Sequence, residues 1–189
     1  MSHADQFPSI LLAAQGGAAW ALDLLYRDLA PAVVSYLRLQ GTEDPEDLTN
    51  EVFLGVFRGL GSFAGGEPEF RSWVLAIAHR RVIDERRRQA RRVKTSPLED
   101  AEFLRSPGPS VEDEVLDGLQ AERIRALCRQ ISADQRDVIL LRLVADLSVE
   151  QTAAALGKRP GAVKALQRRG LEALRRVLAQ EISVEGVSK

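Results

Sequence analysis

Two clusters of basic side chains are the strongest chemical feature of this sequence. Nine basic residues stand against two acidic ones from Arg71 to Lys94, and seven stand against one from Lys158 to Arg176. The net charge is only −1, because the segment from Glu99 to Asp117 holds seven acidic residues and one basic residue. Clustered Arg and Lys side chains bind phosphates, which predicts two polyanion-binding surfaces joined by an acidic connector.

The other reactive side chains form no recognisable catalytic or metal site. Carboxylates are scattered without a paired acid and base, and no glycine-rich phosphate loop precedes a helix. Cys128, His3 and His79 lack zinc-ligand spacing, and Cys128 is interpreted as a small buried helical residue rather than a redox sensor. We therefore predict that the protein is not an enzyme and uses no metal and no cofactor.

The composition predicts an all-α protein of the cytoplasm. Hydrophobic residues make up 45% of the chain and aromatic residues 5%, and the abundant Ala, Leu, Arg, Glu and Gln favour helices. No apolar run approaches the roughly 20 residues that span a bilayer. The first twenty residues also lack a basic start followed by an apolar core, so no membrane insertion is expected.

Helical periodicity assigns the two basic clusters to two groups of helices. The first group is predicted from Ala18 to Leu39, with a bend or new start at Pro31, and then over 45–60 and 69–92. Phe63 lies in a glycine-rich loop between the last two helices, and prolines from residue 97 mark a linker. The predicted division is a lead-in over 1–19, a domain over 20–93, a linker over 94–119, a domain over 120–180 and a tail over 181–189.

The second domain contains the pattern of a helix-turn-helix. Ser148 and Gln151 have the spacing of a capping box, and Gly157 ends this short helix before a long final one. The final helix carries an apolar face that includes Val163 and an opposite polar face with Lys164, Gln167, Arg168 and Arg175. Arg, Lys and Gln can read base edges in the major groove, although a solvated amphipathic helix gives the same pattern.

Three segments of the first domain, together with this helix-turn-helix, resemble the extracytoplasmic-function (ECF) sigma factors of bacterial RNA polymerase. The segments begin at Leu25, run from Asp44 to Phe53, and run from Phe70 to Arg88. The resemblance extends from about Trp20 to Gln180. It implies two small helical domains, sigma region 2 and region 4, that bind core RNA polymerase and promoter DNA and start transcription at chosen promoters.

The resemblance also implies the residues of three binding sites. For core polymerase these are Asp47, Leu48, Asn50 and Glu51. For the minus-ten promoter element they are Phe63, Arg80, Arg81, Arg86, Arg87 and Arg88. For the minus-thirty-five element they are Arg159, Lys164, Gln167 and Arg168.

Two departures from the family pattern limit what the resemblance says about the promoter. Arg80 stands where many members have Asn, and Ala165 and Leu166 stand where many have Ser and Arg, so the promoter sequence cannot be carried over. Trp73 and Phe70 are interpreted as core residues rather than base wedges. An anti-sigma factor is an implied partner, and the alternative function is a helix-turn-helix regulator that acts without polymerase.

Overall fold

The computed structural model describes residues 3–95 and 122–187, and every regular element in these two ranges is helical. The first range contains α1 (His3–Gln15), α2 (Ala19–Gln40), α3 (Pro45–Gly59), a short 3-10 turn (Leu60–Ser62) and α4 (Glu67–Thr95). The second contains helical residues 122–129, which we call α5, then α6 (Ala133–Leu143), α7 (Val149–Leu156) and α8 (Pro160–Val187). The all-α prediction is thereby confirmed, whereas residues 96–119 of the predicted acidic linker lie outside the described residues.

Helix ends in the first range follow local sequence signals. α2 is continuous through Pro31, because the turns on both sides of the proline bury apolar side chains and offset one lost hydrogen bond. α2 ends at Gly41, whose φ of 79° is left-handed and whose N–H donates back to the last turn. α3 begins with Pro45 after Asp44, whose carboxylate accepts a hydrogen bond from the N–H of Asp47 at 2.8 Å.

The core of the first domain lies where α2, α3 and α4 meet. Tyr36, Phe53 and Phe70 are its largest fully buried side chains. Burying a large apolar side chain stabilises a fold by about 1.5–3 kcal/mol. Gly59 allows α3 to approach α4 closely, because a Cβ there would lie 3.0 Å from the Trp73 ring.

α1 adds a helix that the sequence analysis did not predict. Its side chains Phe7, Ile10, Leu11 and Ala14 are buried against the first domain. Their spacing is that of one helix face, so the helical period was present in a segment we interpreted as a lead-in.

Capping and close packing build the second domain. Ser132 and Ser148 each form a complete capping box, the second with Gln151 as predicted. α7 ends at Gly157, whose φ is 61°. α8 crosses α6 at Gly170, where an added Cβ would lie 2.6 Å from Cδ1 of Ile139.

The two domains pack directly on each other through α4 with α7 and α2 with α6. A group of polar side chains, here called the interdomain network, is buried in this contact. Gln40 Nε2 donates to Asp137 Oδ1 at 2.8 Å and to Tyr36 Oη at 2.9 Å. Arg86 donates to Gln40 Oε1 and lies 3.7 Å from the Asp137 carboxylate. The Tyr36 hydroxyl is also 3.0 Å from Nδ1 of His79, which completes the network.

Candidate nucleic-acid interface

The final helix presents the predicted basic face to solvent. Val163 and Gly170 are buried against the rest of the second domain. Lys164 and Arg168 are exposed, as is Arg159 immediately before the helix. Two apolar contacts therefore fix the rotation of α8 so that these three charged side chains point away from the core.

Gln167, the fourth residue predicted to read the minus-thirty-five element, is placed differently. Its side chain is half-buried, and Oε1 accepts a hydrogen bond from Nε of Arg142 at 3.3 Å. Arg142 also donates to the carbonyl of Leu147 between α6 and α7. Gln167 thus joins the final helix to α6, and bidentate reading of an adenine would require its Oε1 to leave Arg142.

The arginines predicted on α4 differ in how strongly they are held. Arg80 and Arg88 are exposed, whereas Arg81 lies 3.8 Å from Glu51 and Arg87 lies 3.7 Å from Asp84. Exposed ion pairs of this kind contribute about 0–1 kcal/mol, so phosphates can replace these carboxylates at little cost. Arg86 is bound into the interdomain network instead, and only separation of the domains would release it.

Phe63 sits at the edge of an aromatic cluster at the start of α4. Its ring stacks on Trp73 with 5.1 Å between ring centroids and meets Phe70 edge-on at 5.4 Å. Phe70 is buried and Trp73 is half-buried, as predicted for core residues. The half-buried Phe63 remains in reach of solvent, on a loop that is exposed from Ala64 to Gly66.

α3 carries a partly exposed face that includes three of the four residues predicted for polymerase binding. Asp47 and Asn50 are exposed and Glu51 is half-buried, but Leu48 is only 7% exposed. The Leu48 side chain packs largely into the core beneath this face, and its role in polymerase binding stays a prediction. Leu54 was missed, although it is 55% exposed and continues the face at helical spacing after residues 47, 50 and 51.

A shallow groove of about 210 Å³ runs between the start of α3 and α4. Its carboxylates are Glu43, Asp44, Asp47, Glu51 and Glu85, and its other lining residues are Leu48, Arg88 and Gln89. With five carboxylates and one guanidinium group, the groove favours a positively charged partner.

Burial sets the protonation of the interdomain network. Tyr36 is fully buried, and desolvation raises the pKa of its hydroxyl far above the usual value, with the nearby Asp137 adding to the effect. Burial and the Arg86 charge lower the pKa of His79, although Asp137 acts in the opposite sense. Because Gln40 donates to the Tyr36 oxygen, the Tyr36 proton can be donated to Nδ1 of a neutral His79.

Residues 3–95 and 122–187 show neither a metal-binding cluster nor a membrane-spanning helix. No group of three or more His, Cys, Asp or Glu side chains in this part of the chain could hold a metal ion. None of its helices is long and apolar enough to cross a membrane. Cys128 is buried and free, as predicted, and burial raises the pKa of its thiol.

A helix-turn-helix with an exposed basic face, next to a second basic helix with an aromatic loop, defines a nucleic-acid-binding protein. Family profiles refine this class: Sigma-70 region 2 matches residues 25–92, and Sigma-70 region 4 matches residues 121–174. The chain is 35% identical to the ECF RNA polymerase sigma factor BldN of Streptomyces coelicolor over 89% of its own length, and it spans 64% of that relative's length. It is 32% identical to the ECF sigma factor SigX of Bacillus subtilis over 69% of each chain.

The protein belongs to the ECF sigma factors of the sigma-70 family, as its sequence predicted, and its function is that of an alternative sigma factor in transcription initiation. Solved structures support the fold. CnrH, in its complex with the cytosolic domain of CnrY, superposes with a TM-score of 0.71 at 22% identity, covering 92% of this chain and 97% of that one. The sigma factor RpoE of Bartonella quintana, in complex with the anti-sigma factor NepR, gives 0.60 at 21% identity, covering 82% and 96%.

Proposed function

We propose that the protein binds bacterial core RNA polymerase through α3 and brings it to promoters that contain a minus-ten and a minus-thirty-five element. The observation that carries this proposal is that α4 and α8, which belong to two different domains, each present exposed basic side chains. Asp47, Asn50, Glu51 and Leu54 would contact the polymerase. Acidic side chains around one exposed apolar residue suit a basic helical partner, and Leu48 supports the face from the core.

The first domain, proposed to span residues 20–93, would recognise and open the minus-ten element. Opened DNA exposes bases that can stack on Phe63, and the exposed Arg80 and Arg88 can follow the phosphates. Arg81 and Arg87 exchange weak surface ion pairs for phosphate. Arg86 joins this track after the domains separate.

The second domain, proposed to span residues 120–180, would place α8 in the major groove of the minus-thirty-five element. Lys164 and Arg168 are exposed where they can reach base edges, and Arg159 can bind phosphate at the start of the helix. Gln167 would add a further base contact when its Oε1 gives up the hydrogen bond from Arg142.

The packed arrangement of the domains cannot bind both promoter elements at the same time. By their names the two elements lie about 25 base pairs apart, which is roughly 85 Å at 3.4 Å per base pair. α7 packs on α4 and α8 packs on α7, so the two DNA-binding helices are roughly 20 Å apart at usual helix spacing. The domains must therefore separate. The interface that would open includes polar contacts, such as the hydrogen bond that Gln151 donates to the Pro68 carbonyl, beside buried apolar side chains of both domains.

The remaining features of the proposal concern partners and location. An anti-sigma factor would control the protein by covering the α3 face or by holding the domains together. The protein acts in the cytoplasm, where polymerase and DNA are found. It catalyses no step itself, and the chemistry of transcription belongs to the polymerase.

Sequencing of transcript 5′ ends tests the proposal directly. Holoenzyme reconstituted from a bacterial core polymerase and this chain is expected to start transcripts downstream of a shared two-part sequence. A Lys164→Ala, Arg168→Ala variant should lose preference at the upstream part only, whereas the exposed α8 control Glu172→Ala should keep it. Failure to initiate with every core enzyme and promoter library tested would refute the proposal. Recovery of duplex DNA but no polymerase in a pull-down would favour a polymerase-independent regulator.

A further inference from the structure

α1 lies outside both segments that match the sigma-70 family, yet it is built into the first domain. The matches begin at residues 25 and 121, whereas α1 ends at Gln15. The Phe7 ring packs against Phe70 with 5.6 Å between centroids, so α1 touches the aromatic cluster that carries Phe63. The end of α1 contacts the 3-10 turn Leu60–Ser62, which precedes the glycine-rich loop.

Gln15 reaches from the end of α1 to the backbone of that loop. Its Nε2 donates to the carbonyl of Leu60 at 3.0 Å and to the carbonyl of Phe63 at 2.9 Å. The N–H of Phe63 donates to the same Leu60 carbonyl at 3.0 Å, which closes the turn. One primary amide thus uses both of its N–H groups to hold the two ends of this turn. A carboxylate in its place has no donor to offer.

The other side of the loop is held by a second contact. Glu69 Oε2 accepts a hydrogen bond from the N–H of Gly66 at 3.0 Å. Gly65 between the two anchored points has a φ of 156°, and a Cβ there would lie 3.1 Å from the Phe63 ring. Phe63 is therefore presented by a loop that is anchored at both ends before any DNA is bound. A loop ordered in advance loses less entropy on binding.

We propose that Gln15 is a positioning residue for promoter recognition: it fixes the backbone at Phe63 so that the ring and loop are ready to receive an unstacked base. This inference rests on the proposed role of Phe63 at the minus-ten element. By this inference α1 contributes to recognition of the minus-ten element and is more than a segment that precedes the first domain. Gln15 acts through Phe63 and itself need not touch DNA.

The test compares Gln15→Leu and Gln15→Glu with Gln6→Leu in the full-length chain. Gln6 is exposed near the start of the same helix and controls for the change of polarity. Because Gln15 is exposed too, the substitutions leave the core of the domain intact. Hydrogen exchange of the free protein, followed by mass spectrometry, should show faster exchange over residues 60–66 in both Gln15 variants and unchanged exchange in the control.

Holoenzyme assays then measure selectivity at single base positions. Loss of two hydrogen bonds to the loop should reduce discrimination at one minus-ten position by about tenfold. Discrimination across the minus-thirty-five element and affinity for core polymerase should be unchanged. In a Phe63→Ala background, Gln15→Leu should have no further effect, since the residue it positions is gone.

The outcomes separate this inference from the proposed function. Any of three results would overturn the role of Gln15. Hydrogen exchange over residues 60–66 could be unchanged, or discrimination could fall uniformly at all promoter positions. Gln15→Leu could also reduce discrimination equally in the Phe63→Ala background. Faster exchange with wild-type selectivity in both Phe63→Ala and Gln15→Leu would show that Gln15 holds the loop but that Phe63 reads no base. That result would overturn both the assignment of Phe63 and the inference that depends on it.

Discussion

Replacement of Asp137 by alanine should weaken the packing between the two domains more than either domain itself. Asp137 is 4% exposed, and its carboxylate accepts from Gln40 at 2.8 Å and faces Arg86 at 3.7 Å. Its removal leaves the Gln40 amide and the Arg86 guanidinium group without their anionic partner. Both groups regain water once the domains separate, so the cost falls on the packed arrangement.

The expected magnitude follows from the burial of the partners. Removing one member of a fully buried ion pair costs about 3–5 kcal/mol. The side chain of Arg86 is 28% exposed, so water partly replaces the lost carboxylate. We expect Asp137→Ala to destabilise the packed arrangement by about 2–3 kcal/mol. If the domains unfold together, the melting temperature should fall by about 4–12 °C for a chain of this size.

Fluorescence energy transfer between the domains and thermal unfolding together measure this effect. Labels on Leu12→Cys in α1 and Glu172→Cys in α8 report the separation, because both positions are exposed whereas Cys128 is buried. Asp137→Ala should lower both transfer efficiency and melting temperature. The matched control Asp84→Ala removes an exposed carboxylate 3.7 Å from Arg87 and should change stability by less than about 0.5 kcal/mol.

Two results would refute the reasoning. Unchanged energy transfer and melting temperature in Asp137→Ala would mean that the interdomain network contributes nothing to packing. A lower melting temperature with unchanged transfer, accompanied by loss of transcription in the holoenzyme, would mean that Asp137 stabilises the second domain alone. Our expectation is instead that initiation by the holoenzyme is preserved, since the proposed function has the domains apart when promoter DNA is bound.

Three further predictions concern stability and binding. Burial lowers the pKa of His79, so the unfolded chain takes up a proton before the folded chain does. Stability should therefore be nearly constant between about pH 7 and 8 and fall as pH drops through about 6.5, which thermal unfolding would show. His79→Gln should remove this fall. Gly170→Ala should lower the melting temperature and weaken binding to the minus-thirty-five element, because the added Cβ would clash with Ile139. An unchanged melting temperature would contradict the close approach of α8 to α6 at this position. Leu54→Asp should weaken polymerase binding in a pull-down at unchanged stability, because Leu54 is exposed. Leu48→Ala should instead lower the free energy of unfolding by about 2–5 kcal/mol, because Leu48 is buried. The reverse pattern would contradict the placement of the two leucines.

Local sequence signals were sufficient to predict most helices and the helix-turn-helix. The Ser148 capping box, the left-handed Gly157 and the proline at the start of α3 each act within a few residues, and all three occur as expected. Helical period also predicted which side of α8 is buried at Val163 and which is charged at Lys164. α1 shows the same helical period at Phe7, Ile10, Leu11 and Ala14, although the sequence analysis did not predict it.

What the sequence alone determined about this protein is therefore its helices, its family and the faces that carry charge. Tertiary structure decided which of two leucines on α3 is exposed, which arginine of α4 is bound to the other domain, and where Gln15 points. Each of these depends on a neighbour that is distant in the chain, as in the pairs Gln40 with Asp137 and Gln15 with Phe63. A helical period reports the face of a residue, but a partner across the fold sets its burial, its hydrogen bonds and its freedom to bind DNA.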